Sequence, residues 1–185
     1  MLISEIAIKD VSASMIQRFA RQAQKLAKVP GEVDILISGN KRLQELNRRF
    51  RRKNKPTDVL SFPRPTGGDI AISADIARQN AALYGHTLAE ELKVLILHGM
   101  LHLAGHDHES DNGQMARVEA RLRTQLKLPA SLIDRAHSRS VTQKAARTKT
   151  HASTSMDNRT RKSARPAIRK VPSSKTKAAS RRSAQ

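Results

Sequence analysis

Cysteine and tryptophan are absent from the 185 residues, and tyrosine occurs once. Without cysteine there are no disulfides and no thiolate metal ligands, a composition that suits a reducing cytosol. The shortage of large aromatic rings leaves little surface on which bases could stack, and argues against single-strand binding by an aromatic platform. No apolar run approaches the roughly 20 residues that span a bilayer, so no membrane partner is expected. The opening MLISEIAIKD lacks a basic stretch followed by a long apolar one, and does not read as a secretory signal.

Acidic residues are scarce in one region. Met1 to His137 carries 21 Lys/Arg and 15 Asp/Glu, a net of +6, whereas Ser138 to Gln185 carries 14 Lys/Arg and one acid, Asp157, a net of +13. The large apolar residues of that last quarter are Val141, Met156, Ile168 and Val171. So few cannot bury enough area to offset the cost of ordering the chain. The sequence therefore predicts a folded domain over 1–137 and a disordered basic tail over 138–185. Such a tail attracts polyanions through phosphate contacts, or serves only as a solubilising appendage.

Periodicity organises the first part. Leu2 to Ile8 alternates as a strand does, and Ser12 or Ser14 can cap a helix through Lys28 whose buried face includes Ile16, Phe19 and Ala23. Val33 to Ser38 is a second strand, with Val33, Ile35 and Ile37 on one face and Leu36 on the other. Asn40 can cap a short helix with Leu43, Leu46 and Phe50 at helical spacing and Arg48, Arg49, Arg51 and Arg52 outside. Thr57 to Phe62 and Asp69 to Ile72 are strands joined closely enough for an antiparallel hairpin. Ala74 to Leu83 is a helix closed by Gly85. Thr87 to Leu103 is a longer one, with Thr87 and Glu90 spaced as a capping box. Asp111 or Asn112 can cap a last helix through Leu126, with Met115, Val118 and Leu122 inward. Three to four strands interleaved with about five helices make an α+β or mixed α/β layer fold with a single core.

The informative stretch is HGMLHLAGHDH, from His98 to His108. His98 and His102 lie four apart on a helix, so both imidazoles leave one face. Gly105 permits a left-handed turn that can bring His108 back over that face. Three neutral imidazoles suit zinc at about 2.0–2.1 Å and leave the fourth tetrahedral position open, which is the mark of a catalytic site. Zinc can lower the pKa of its bound water to about 7. Imidazole also accepts nickel, copper and iron. His106 would replace His108 as ligand if the helix ran on through Gly105, but glycine more naturally ends a helix. The spacing matches the zinc-peptidase motif H-E-x-x-H-x-x-G-x-x-H except that Gly99 stands where those enzymes carry their general-base Glu, which argues against peptide hydrolysis. Asp107, beside a ligand, could orient a histidine or stabilise the turn.

A second constellation, LNRRFRRKNKPTDVLSFP from Leu46 to Pro63, joins a cluster of guanidinium groups, which match phosphate oxygens or simply solvate a helix face, to a strand bearing Thr57, Asp58 and Ser61. Asp58 and Ser61 read chiefly as caps or anchors of the strand end, with a catalytic role as the lesser alternative. His137 and His151 fall at or beyond the domain edge and read as solvated.

Taken with G-D-I at Gly68 to Ile70 and the histidine motif, these segments resemble the YbeY family of bacterial endoribonucleases from about Leu2 to Leu126. The resemblance implies a compact α+β domain with a small mixed sheet, one zinc ion on His98, His102 and His108, and a functional, catalytic arginine at Arg51. It further implies a cytoplasmic enzyme acting on single-stranded RNA in 16S rRNA 3′-end maturation and ribosome quality control, with the ribosome or its proteins as partners. His106 and the long basic tail depart from the family pattern. Two other readings share the same residues: a non-catalytic zinc-containing ribosome-assembly factor, and a metallohydrolase acting on a substrate other than RNA.

Overall fold

The computed structural model describes residues 1–6, 8, 11–108 and 111–129; the basic tail expected over 138–185, its boundary at His137, and His151 lie outside the described residues. Within them the order is β1 (Leu2–Ser4), α1 (Ala13–Ala27), β2 (Val33–Ser38), α2 (Asn40–Arg51), β3 (Val59–Pro63), β4 (Gly68–Ser73), α3 (Ala74–Tyr84), α4 (Leu88–Leu103) and α5 (Gln114–Leu126). Four strands and five helices among the described residues make the expected α+β architecture.

The strands form one sheet in the order β1-β2-β4-β3. β1, β2 and β4 run parallel, and β3 pairs antiparallel with β4 from Val59 opposite Ile72 to Pro63 opposite Gly68. The hairpin read from the sequence is thus present, and it leaves β3 as a sheet edge.

Alternation along the strands sorts the core into two parts. Val33, Ile35, Ile37, Ile70 and Ile72 join the larger cluster with residues of α1 and α4, while Leu36, Leu60 and Ala71 join a smaller one with Leu43 and Leu46 of α2. Helix α4 is the axis of the larger cluster. From Leu92 to Leu103 every residue except Lys93 and His102 is buried, the pattern of a helix enclosed by its own protein. Each wholly buried leucine there contributes about 1.5–3 kcal/mol. A capping box starts the helix: Glu90 N–H donates to Thr87 Oγ1 at 3.2 Å, and Thr87 N–H donates to Glu90 Oε2 at 2.8 Å. In the same first turn, buried Glu91 accepts from Asn80 Nδ2 at 3.1 Å and lies 2.7 Å from His86 Nε2. Among the described residues, no helix is long and apolar enough to cross a membrane.

Several local expectations change. β1 stops at Ser4 rather than reaching Ile8. The cap of α2 is Gly39, not Asn40, and the Asn40 N–H donates to Asp75 Oδ2 at 2.8 Å instead. The residue preceding α5 is Gly113, but the Asp111 carboxylate still accepts from Met115 N–H at 2.6 Å, so it supplies the acceptor a capping side chain would. Phe50, spaced to be buried, is 56% exposed at the penultimate position of α2.

Candidate metal centre

Helical geometry and one turn build the site. His98 and His102 occupy the last turns of α4, with His98 Nε2 and His102 Nε2 3.1 Å apart. Gly105 then adopts φ +87°. Its N–H donates to His102 O at 3.0 Å, and His106 N–H donates to Leu101 O at 3.0 Å, the paired bonds of a Schellman turn. The chain doubles back, and the His108 ring centroid comes to 5.4 Å from that of His98 and 5.5 Å from that of His102. One nitrogen from each of the three rings lies within 4.8 Å of the others, a group able to hold a metal ion. His106 is not a member of this group, although it lines the same cleft.

The donor set fits a divalent cation. Two nitrogens bound tetrahedrally to one zinc at its usual bond length stand about 3.3–3.4 Å apart, close to the separation of His98 and His102. His98 Nδ1 donates to Glu119 Oε1 at 3.1 Å, and both side chains are sealed from solvent. With its Nδ1 proton held there, His98 presents the lone pair of Nε2 to the cluster, the arrangement in which a carboxylate orients a metal-binding imidazole. Burial, and then the neighbouring His98 and His108, push the His102 pKa down to about 4. That ring is therefore neutral, with a free lone pair, at neutral pH.

Glu119 was not legible as part of the site. Periodicity along α5 put Met115, Val118 and Leu122 inward, and all three pack in or against the core, but Glu119 is buried beside them as well. The available signal was an acid on the i, i+4, i+7 stripe of an otherwise apolar face.

Gly99 acquires a packing reason. A Cβ there would meet Ile70 Cγ2 at 2.9 Å and Ser61 Oγ at 3.1 Å, so α4 lies against β3 and β4 closely enough that any larger residue would force the side chain of Ile70 to shift. Ser61 Oγ donates to Gly99 O at 3.3 Å across the same contact. The position that bears a glutamate in zinc peptidases is here filled by the sheet itself.

An open cleft of about 850 Å³ runs from the histidines around the β3 edge to the end of α2, lined among others by Arg51, Asp58, Phe50, Phe62 and Asp107. Arg51 is exposed there. Beyond it, buried Asn47 donates to Lys55 O at 2.7 Å and Gln44 donates to Asn54 Oδ1 at 3.2 Å, which pins the basic segment after α2. Asp58 anchors the start of β3: its Oδ1 accepts from Val59 N–H at 2.9 Å and from Thr57 Oγ1 at 3.1 Å.

Residues 2–127 match the family model described as Endoribonuclease YbeY. Relatives of that name include one from Koribacter versatilis, 53% identical over 138 residues that cover 73% of this chain and 91% of the relative. Another, from Solibacter usitatus, is 51% identical over 125 residues, covering 66% of this chain and 85% of the relative. A solution structure from Thermotoga maritima is similar with TM-score 0.45 and 27% identity, over 65% of this chain and 85% of that one. The family match across the whole described fold and the identity of these relatives place the chain in the YbeY family of endoribonucleases.

Proposed function

We propose that this protein is a zinc-dependent endoribonuclease that cuts single-stranded RNA, with its metal on His98, His102 and His108 and Arg51 on the scissile phosphate. The observation that carries the reading is the convergence of three imidazoles in one cleft with an exposed guanidinium. Three nitrogen donors favour zinc over harder ions, which prefer oxygen ligands. A bound ion supplies Lewis acidity toward a phosphoryl oxygen. Arg51 presents a fork of donors to the non-bridging oxygens and stabilises charge that grows on them during cleavage. Glu119 keeps His98 in one tautomer and one orientation. Gly99 leaves no acid at the position from which zinc peptidases draw their base.

The family and the strongly basic sequence together support the rest of the proposal: a folded domain over 1–137 with a basic extension over 138–185, working in the cytoplasm on ribosomal RNA. Its biological role is then 16S rRNA 3′-end maturation and ribosome quality control, in company with the ribosome or ribosomal proteins.

Purified full-length chain, a defined single-stranded RNA and the same sequence as a duplex provide the test. Cleavage of the single strand should cease with a chelator, return when zinc is restored, and be slight on the duplex. RNA left intact by the zinc-loaded chain, or cut equally well after chelation, would overturn the reading.

A further inference from the structure

Phe50 is one of four large apolar side chains that the described fold leaves exposed. It does not stand alone. Phe62 on β3 meets it edge to face, with centroids 4.9 Å apart and 61° between the planes. The guanidinium carbon of Arg49 lies 5.3 Å from the Phe50 ring centre. Phe62 is in turn packed against the buried Leu43, Leu60 and Ala71, so the pair is backed by the smaller core. Both rings line the cleft that holds the three histidines and Arg51. Composition argued against an aromatic platform, yet two of the three phenylalanines in the chain meet at this one place.

We propose that Phe50, backed by Phe62, is a stacking subsite for an unpaired nucleobase of the RNA strand whose phosphate lies at Arg51; the proposal rests on the endoribonuclease reading above. An apolar ring beside exposed Arg48, Arg49, Arg51 and Arg52 suits a ligand that joins a flat π face to an anion, which describes a nucleotide. Phe50 and Arg51 are consecutive, so base and phosphate contacts are set by adjacent residues. Base–aromatic stacking tolerates any sequence, because every base has a π face. It also requires that the base be free of its own neighbours, which a duplex forbids and a single strand allows. The subsite therefore gives the cleft a physical means of selecting single-stranded RNA, and β3, as the sheet edge between the two flanks, is where the strand passes.

The test uses the full zinc-loaded chain and single-stranded oligoribonucleotides carrying 2-aminopurine or an abasic residue at successive positions. Rapid-mixing fluorescence reads stacking before any bond is cut, and KM and kcat are read separately. Phe50→Ala and Phe50→Leu should each weaken RNA binding about 10–100-fold through KM, with zinc content unchanged, while Phe50→Trp holds affinity. An abasic residue at one position should cost the parent protein a similar factor and cost Phe50→Ala nothing further. Equal affinity in Phe50→Leu and the parent, or a parent blind to abasic sites at every position, overturns the subsite and leaves the patch to a protein contact. RNA that quenches 2-aminopurine at Phe50 but is never cut would uphold the subsite and sink the nuclease reading. RNA cut with no dependence on Phe50 would do the reverse.

Discussion

Glu119 accepts a hydrogen bond from His98 Nδ1 at 3.1 Å, and its other oxygen, Oε2, is buried with no hydrogen-bond partner among the described residues. A buried carboxylate is costly to desolvate, and here it is spent on fixing one imidazole. Glu119→Ala should weaken metal binding about 10–100-fold, whereas Glu119→Gln, which still accepts through Oε1, should lose less. Competition against a chelating dye measures both; unchanged affinity in the alanine variant would remove Glu119 from the site.

Arg51 lines the cleft without belonging to the metal cluster. Arg51→Ala should therefore retain full zinc content while kcat on RNA falls about 10²–10³-fold, the usual loss for one transition-state donor. Arg51→Lys should recover little, because a point charge does not reproduce the fork. Metal analysis beside single-turnover cleavage checks this, and an undiminished rate in the alanine variant takes Arg51 out of the chemistry.

Gly99 faces the sheet at a distance that leaves no room for a methyl group. Overpacking there costs about 1–3 kcal/mol, offset by the roughly 1 kcal/mol that alanine gains over glycine in a helix. Gly99→Ala should thus be destabilised by about 1 kcal/mol net, and Gly99→Glu by far more. Denaturant titration reads the effect. A glutamate variant as stable as the parent would show that packing does not dictate this glycine.

How much of the site could be read from the sequence follows from how local its geometry is. The pairing of His98 with His102 is dictated by helical periodicity, and the return of His108 by a single glycine, so both were accessible from spacing. The alternation in Val33 to Ser38 separated Val33, Ile35 and Ile37 from Leu36, and the structure turns those two faces into separate clusters where one core was expected. What escaped depended on distant packing. Glu119 lies 21 residues beyond its histidine, and a charged residue on a helix ordinarily faces water, so periodicity read the apolar face of α5 without it. Phe50 fitted the apolar spacing of α2, but spacing cannot reveal how little of its ring the neighbouring elements cover. Arg51 came from family resemblance alone, since an exposed arginine among several carries no local mark.

The lowered pKa of His102, about 4 against an ordinary 6.5, gives metal-free protein a defined pH response. Between these values the unfolded chain binds a proton that the folded chain refuses. Stability is therefore highest above about pH 6.5 and declines as pH falls toward 4. For a ring that remains partly exposed, the decline from this group is on the order of 1 kcal/mol. Urea titrations in chelator at neutral pH and near pH 5 should show a smaller loss in His102→Gln than in the parent; identical losses would place the sensitivity elsewhere.

The turn at Gly105 divides the histidines by their freedom. Two ride on a helix locked into the core, and the third sits past the helix end on an exposed stretch of chain. An ion shared by all three would act as a clasp, pinning that stretch to the most rigid part of the molecule and drawing part of its affinity from the ordering it imposes. Metal loading should then slow amide exchange at residues 105–108 more than in the interior of α4, so that the same event that readies the chemistry also closes the rim of the cleft around it.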